Sequence, residues 1–203
     1  MGTQKDALWG AESRLTTEVA EFFPRQKHWT EDEYFALPDT LRFVELSKGE
    51  LIVPPHPTDS HQCVVGTLYE LFRSHVKATG LGVVRLGPLP VRLWPDQIRE
   101  PDIQLLLNEH AARIGEQFWG PPDLVVEVLS PSTRKTDRED KFREYAQAGI
   151  PEYWIVDPQA VEIEVYVLRN GVYALLVKAG RGDRVRSQLL DGFEVGADEV
   201  FAR

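Results

Sequence analysis

Two acidic residues stand where a buried carboxylate is costly. Asp102 follows Pro101 and leads into the apolar run Ile103 to Leu107, and Glu127 sits inside Asp123-Leu124-Val125-Val126-Glu127-Val128-Leu129-Ser130. A charge in such surroundings needs a partner or a metal ion. If the two runs are neighbouring strands, their carboxylates meet. A hard cation such as Mg²⁺ takes one or two carboxylates and keeps several waters, and the backbone carbonyl of Val128 would offer a further oxygen. Each acid also has a plainer reading: Asp102 as a turn residue after proline, Glu127 as the partner of a core arginine. The two together, followed at once by a basic helical segment, favour a site, because perturbed acids gather in functional clefts.

The basic segment runs from Ser130 to Arg143. Between Arg134 and Arg143 it holds five basic and three acidic residues, net positive in a chain of opposite sign. Its helix N-terminus would favour a phosphate. The alternative is a solvated helix laced by Asp137 with Lys141 and Glu139 with Arg143. Lys141, Tyr145 and Ala148 share one stripe, so a Tyr145 packed on the sheet carries Lys141 toward the same side. A lysine beside two carboxylates and a metal orients an attacking water or stabilises charge building on a phosphate; otherwise it snorkels over the sheet edge. Glu45 and His61 are candidates to line the same cleft. Ser130 lacks the GxSxG elbow and reads as a turn or capping hydroxyl.

The elements that must position these groups follow from periodicity. Thr30 and Glu33 form a capping box before a short helix that ends at Pro38. Leu41, Phe43 and Val44 to Leu46 lead through Ser47-Lys48-Gly49 into Glu50 to Val53, which reads as a two-stranded hairpin with Glu45 at the end of its strand. From Thr58 to Thr79 apolar residues recur at helical spacing until Gly80. Strands are expected at 82–86, 89–94, 102–107 and 124–129, the last two buried on both faces. Thr136 and Glu139 read as a capping box for a helix closed by Gly149 and Pro151. Short strands follow at 153–156 and 162–168, and Asn170-Gly171 turns the chain into 172–177. The order implies an α/β or α+β fold, with helices packed on a mixed sheet. Residues 1–29 show no sustained period and are read as a loosely attached arm, helical in part at 11–22.

Composition removes several classes. With 23 basic and 32 acidic residues the net charge is -9, so any contact with nucleic acid must rest on a local site. The single cysteine, Cys63, excludes an intramolecular disulfide framework and reads as a core residue. No apolar run reaches the length of a membrane span and the first residues do not resemble a signal peptide, so a cytoplasmic location is expected. Glycine-rich phosphate loops and HExxH are absent, against P-loop, dehydrogenase and zinc-protease readings.

Taken together, Glu45, Gly49-Glu50, His61, Pro101-Asp102, the Pro122 to Ser130 string, Lys141, Tyr145 and Gly149-Ile150-Pro151-Glu152-Tyr153-Trp154-Ile155-Val156-Asp157-Pro158 resemble the Uma-type putative restriction endonuclease family, a branch of the PD-(D/E)xK nucleases. The similarity spans roughly Thr30 to Val177. It implies a restriction endonuclease-like core in which acids on adjacent central strands bind Mg²⁺ or Mn²⁺; residues 30–203 are read as one domain, although those after Val177 lie outside the resemblance. Asp102 matches the first acid and Glu127 the second. The motif places lysine two residues after the second acid, and Leu129 stands there instead. Lys141, on the following helix, is the matching residue. The implied reaction is metal-dependent hydrolysis of DNA phosphodiesters by a homodimer, with Asp102, Glu127 and Lys141 catalytic and Glu45, His61, Ser130 and Tyr145 lining the cleft. The alternative, which the net charge favours, is a catalytically inactive or regulatory homologue that keeps the fold as a binding module.

Overall fold

The computed structural model describes residues 27–37 and 44–202. The first 26 residues of the expected arm, the helix stop at Pro38, and Leu41 and Phe43 fall outside them. The first helix, α1 (Glu31–Phe35), opens on the expected capping box: the Thr30 hydroxyl accepts the Glu33 N–H at 3.3 Å, and the Glu33 carboxylate accepts the Thr30 N–H at 3.2 Å. Next comes the hairpin β1 (Glu45–Ser47) and β2 (Glu50–Ile52). Its two loop residues, Lys48 and Gly49, have φ of 53° and 75°, the backbone twist that a tight hairpin needs. Glu45 begins β1 rather than ending a strand.

Helix α2 (Asp59–Thr79) is capped by Thr58 and stopped by Gly80, whose φ of 67° suits a left-handed cap. Strands β3 (Gly82–Leu86), β4 (Val91–Trp94), β5 (Gln97–Arg99) and β6 (Ile103–Leu107) follow, then β7 (Leu124–Val128). The helical segment after β7 has three parts: α3 (Arg134–Thr136), a π turn (Asp137–Lys141) and α4 (Phe142–Gln147). The chain ends in β8 (Glu152–Asp157), β9 (Glu162–Arg169), β10 (Val172–Ala179), β11 (Arg184–Arg186), β12 (Glu194–Gly196) and α5 (Ala197–Val200). Asn170 and Gly171, with φ of 52° and 80°, turn β9 into β10 as anticipated.

The principal sheet has the order β10-β9-β8-β7-β6-β3. It is mixed, because β7 and β8 run parallel while their other neighbours are antiparallel. On one face lies α2, whose Val64, Val65, Leu68, Phe72 and Val76 join Ile103, Leu105, Leu124, Val126, Trp154 and Val156 in one core. On the other face Tyr145 and Ile150 pack with Val125, Tyr153 and Ile155. Cover on both faces explains the unbroken apolar runs of β6 and β7. A second sheet, β2-β1-β5-β4, carries Glu45 and Arg99 beside this second core.

Two local expectations are corrected. The helical segment starts at Arg134, with Thr133 as its cap residue, so Thr136 and Glu139 are inside it and form no capping box. Ser130 and Thr133 shape the entry instead: the Ser130 N–H donates to the Thr133 hydroxyl, and the Thr133 N–H to that of Ser130. Cys63 is exposed on α2, because the buried stripe of the helix begins one residue later at Val64.

Candidate metal and phosphodiester site

The antiparallel ladder of β6 and β7 pairs Ile103 with Val126, Gln104 with Val125 and Leu105 with Leu124. Continued by one residue, that register sets Asp102 opposite Glu127. Residues directly opposite in such a ladder share a face, with Cβ atoms about 5 Å apart. That face carries α4. Asp102 also reaches along β7: its Oδ2 accepts the Val128 N–H at 2.7 Å and lies 3.3 Å from Nε2 of His61, near the start of α2.

Glu127 is deeply enclosed. Its Oε1 accepts the Tyr145 hydroxyl at 2.6 Å and lies 3.0 Å from Nζ of Lys141. Lys141 and Tyr145 thus reach one acid from a shared helix stripe, as their spacing of four anticipates. The cation beside Glu127 is a lysine, not a core arginine. Asp137 and Lys141 bound the π turn, a wider turn often found at functional positions. From β8, the Tyr153 hydroxyl donates to the Asp137 carbonyl at 3.0 Å and holds the turn on the sheet.

Lys141 meets three carboxylates. Besides Glu127, its Nζ lies 3.3 Å from Oε1 of Glu45 and 3.3 Å from Oδ1 of Asp137. The expected pairing of Asp137 with Lys141 exists, but it is buried rather than solvated, and Arg143 pairs with Asp140 instead of Glu139. Burial alone would lower the lysine's pKa, yet Glu127, Glu45 and Asp137 outweigh it and keep the ammonium charged. Burial pushes the carboxyls of Glu127 and Asp137 up, Lys141 opposes this, and neighbouring carboxylates add to the rise. Burial also opposes the charge on Glu45, but Lys141, Arg99 and the Glu100 N–H hold its carboxyl at about 2. For His61, burial is outweighed by Asp102, which raises the imidazole.

Behind Glu45 lies Arg99, 1% exposed. Its Nη1 donates to Oε2 of Glu45 at 2.7 Å, its Nε to Oε2 of Glu144 at 2.7 Å, and its Nη2 to the Ser47 hydroxyl at 3.1 Å and Oε1 of Glu144 at 3.1 Å. Arg99 therefore ties β1 and β5 to α4, the helix that follows Lys141. Next to it, burial and the charge of Glu45 push the Glu100 carboxyl up to about 8.

Of the residues expected from the sequence, Glu127, Lys141, Tyr145 and Glu45 come together through direct contacts, and Asp102 with His61 borders them. Ser130 is spent on the turn, its hydroxyl bonded to Thr133 and Ser132. Asp137, Arg99 and Glu144 were not anticipated as members of the network. Arg99 lies in the polar string Pro95-Asp96-Gln97-Ile98-Arg99-Glu100, which carries no periodic signal. A hollow of about 560 Å³ bordered by Trp29, Lys48, Trp94, Arg143 and Glu144 touches the network only through Glu144.

The side chain of Asp102 is 24% exposed and that of Glu127 4%, so solvent reaches the acids from the Asp102 side. Among the described residues, no three His, Cys, Asp or Glu side chains form a ready metal cage. The Lys141 ammonium occupies the place where the acid oxygens converge. The donor chemistry nonetheless fits a hard divalent cation. The donors are carboxylate oxygens, and one of them, Oδ1 of Asp137, is buried without a hydrogen bond.

Comparison with known proteins gives the family and the fold. The family model Uma2, described as "Putative restriction endonuclease", matches residues 31–198. The uncharacterized protein slr1290 of Synechocystis sp. is 33% identical over 161 residues, which cover 77% of this chain and 82% of that protein. The crystal structure of a putative nuclease belonging to DUF820 from Anabaena variabilis superposes with a TM-score of 0.71 at 21% identity, covering 85% of this chain and 97% of that one. At that identity the likeness establishes the fold. Among the described residues, no helix is long and apolar enough to cross a membrane. With the family model spanning most of its length, the chain belongs to the Uma2 family of restriction endonuclease-type proteins.

Proposed function

We propose that the protein is a divalent-metal-dependent endodeoxyribonuclease that hydrolyses DNA phosphodiester bonds, with Asp102 and Glu127 holding Mg²⁺ or Mn²⁺. The observation that carries this reading is the β6–β7 register, which sets the two acids side by side, with the Lys141 ammonium on Glu127. Bound there, the metal supplies Lewis acidity toward a phosphate and lowers the pKa of water.

The protein's own groups do the rest. Asp102 is oriented by the Val128 N–H and His61, and is the acid nearest solvent, where a substrate enters. Tyr145 fixes Glu127 by a short hydrogen bond. Lys141, still charged despite its burial, offers positive charge toward negative charge that builds on a phosphate. Glu45, anchored by Arg99, holds the ammonium from behind. Residues 30–203 act in this reading as one domain, in the cytoplasm, and as a homodimer that brings one site to each DNA strand.

Plasmid nicking in Mg²⁺ or Mn²⁺ tests it. Asp102→Ala and Glu127→Ala abolish cutting while circular dichroism stays native. If both cut as fast as the parent, the assignment is wrong. The net charge of -9 favours a second reading, a non-cutting binding module. Affinity that falls steeply with salt marks DNA contact, whereas a protein-binding module need not show it.

A further inference from the structure

Apart from the acid site, we propose that the hollow between the small sheet and α4 is a pocket for a purine nucleotide. Its wall, around a volume of about 560 Å³, includes Gln97, which is only 2% exposed. Alternation along β5 puts Gln97 on the same face as Arg99, the face that meets α4 through Glu144. The Gln97 amide nitrogen makes no hydrogen bond among the described residues. A buried donor left open in this way calls for an explanation, and an acceptor brought in by a ligand supplies one.

The other groups of the hollow fit the same ligand class. Trp29 and Trp94 line it, and an indole ring offers a base a surface to stack on. A purine then presents N7 as an acceptor for the Gln97 amide, as in the pairing of glutamine with adenine. At the rim, Lys48 and Arg143 converge on Asp140, at 3.5 Å and 2.9 Å. Both cations are exposed, and one carboxylate between two of them leaves positive charge for a phosphate. The neighbouring acids are engaged: Glu144 by Arg99, and Asp96 by the Glu31 N–H at 2.7 Å. The volume matches as well, since small-molecule sites commonly span about 300–1,000 Å³. The nucleotide arrives either free or as an unpaired residue of a DNA strand. The plain alternative is a hydrated cleft in which water serves the amide.

Calorimetry on the full chain in EDTA, which withholds divalent metal, tests this with dAMP, deoxyadenosine and a short dA oligonucleotide. The parent binds dAMP, and Gln97→Leu and Trp94→Leu each weaken it by about 10-fold or more, within the range expected when a base loses its stacking or hydrogen-bonding partner. Lys48→Gln with Arg143→Gln weakens dAMP but not deoxyadenosine, which has no phosphate. If only the oligonucleotide binds, with the same sensitivity to Gln97→Leu, the source is a DNA strand. If none of the three binds, or if Gln97→Leu binds like the parent, the hollow is a hydrated cleft, which overturns the proposal. Thermal unfolding supplies a measurement without ligand. Gln97→Leu melts no lower than the parent, because it removes an open buried donor; a large drop shows an amide engaged in the fold and overturns the proposal. Glu127→Ala separates the two sites, since it keeps dAMP binding while plasmid nicking is lost. Loss of dAMP binding in that variant puts the nucleotide at the acids and refutes the pocket. A parent that binds dAMP but never nicks DNA keeps the pocket and refutes the nuclease.

Discussion

Replacing Arg99 by methionine should destabilise the protein more than any surface change, and its size can be worked from the network. The guanidinium is fully enclosed and balances Glu45 and Glu144. A carboxyl held at about 2 instead of 4.5 favours its ionised form by roughly 3 kcal/mol, a figure to which Lys141 also contributes. Removing Arg99 withdraws part of that support and leaves two buried carboxylates short of a partner, for which breaking a buried pair typically costs about 3–5 kcal/mol. In a domain of this length each kcal/mol moves the midpoint by about 2–4 °C, so a fall on the order of 10 °C is expected. Urea and thermal unfolding, followed by tryptophan fluorescence, measure it. The double variant Arg99→Met, Glu144→Leu removes one of the stranded acids and should recover part of the loss. A single variant within 1 kcal/mol of the parent, or a double variant no better than the single, would refute the reasoning.

Other expectations follow from the same geometry. Glu100 is raised to about 8, so its burial disfavours the folded state increasingly as pH climbs from 4.5 toward 8. Glu100→Gln should therefore stabilise the protein at pH 8 by several kcal/mol and change little near pH 4, as thermal melts at the two pH values will show. Asp157 and Glu164 are lowered despite burial by Arg134 and Arg138, so their contribution is present above their unfolded values of 3.8 and 4.5 and is lost as pH falls below them. Arg138→Met should flatten the acid limb of the melting curve, and an unchanged limb would remove Arg138 from the account. Lys141→Ala should abolish plasmid nicking while Mn²⁺ still binds; undiminished turnover would make Lys141 a structural partner of the acids. Leu105→Ala, at a fully buried position on the central ladder, should cost about 2–5 kcal/mol in urea unfolding.

The readable features were those with local signatures. The runs of β6 and β7, the Asn170-Gly171 turn and the stripe from Lys141 to Tyr145 each express a period or a turn chemistry within a few residues. Asp102 and Glu127 stood out because a carboxylate disrupts an apolar pattern. Arg99 gave no such contrast. Its partners lie 54 and 45 residues away in sequence, and only the docking of the small sheet against α4 joins them. Asp137 was visible, but helical spacing alone reads it as a solvated partner of Lys141, since periodicity does not say which side of a basic helix turns inward. The helix start was misplaced for a related reason: Thr136-Asp137-Arg138-Glu139 satisfies the capping pattern, yet Ser130 and Thr133 supply the side-chain contacts at the entry.

The adjacency of the two strand acids depends on pairing, not on the length of chain between them. The exposed part of the connection, such as residues 109–117, can therefore gain or lose residues without separating Asp102 from Glu127, because loop closure costs little for each added residue. A single insertion inside either strand has the opposite outcome: the alternation of side chains reverses, and one carboxylate turns toward α2. An inserted residue is thus tolerable in the crossing loop and not within the ten residues of β6 and β7 that flank it.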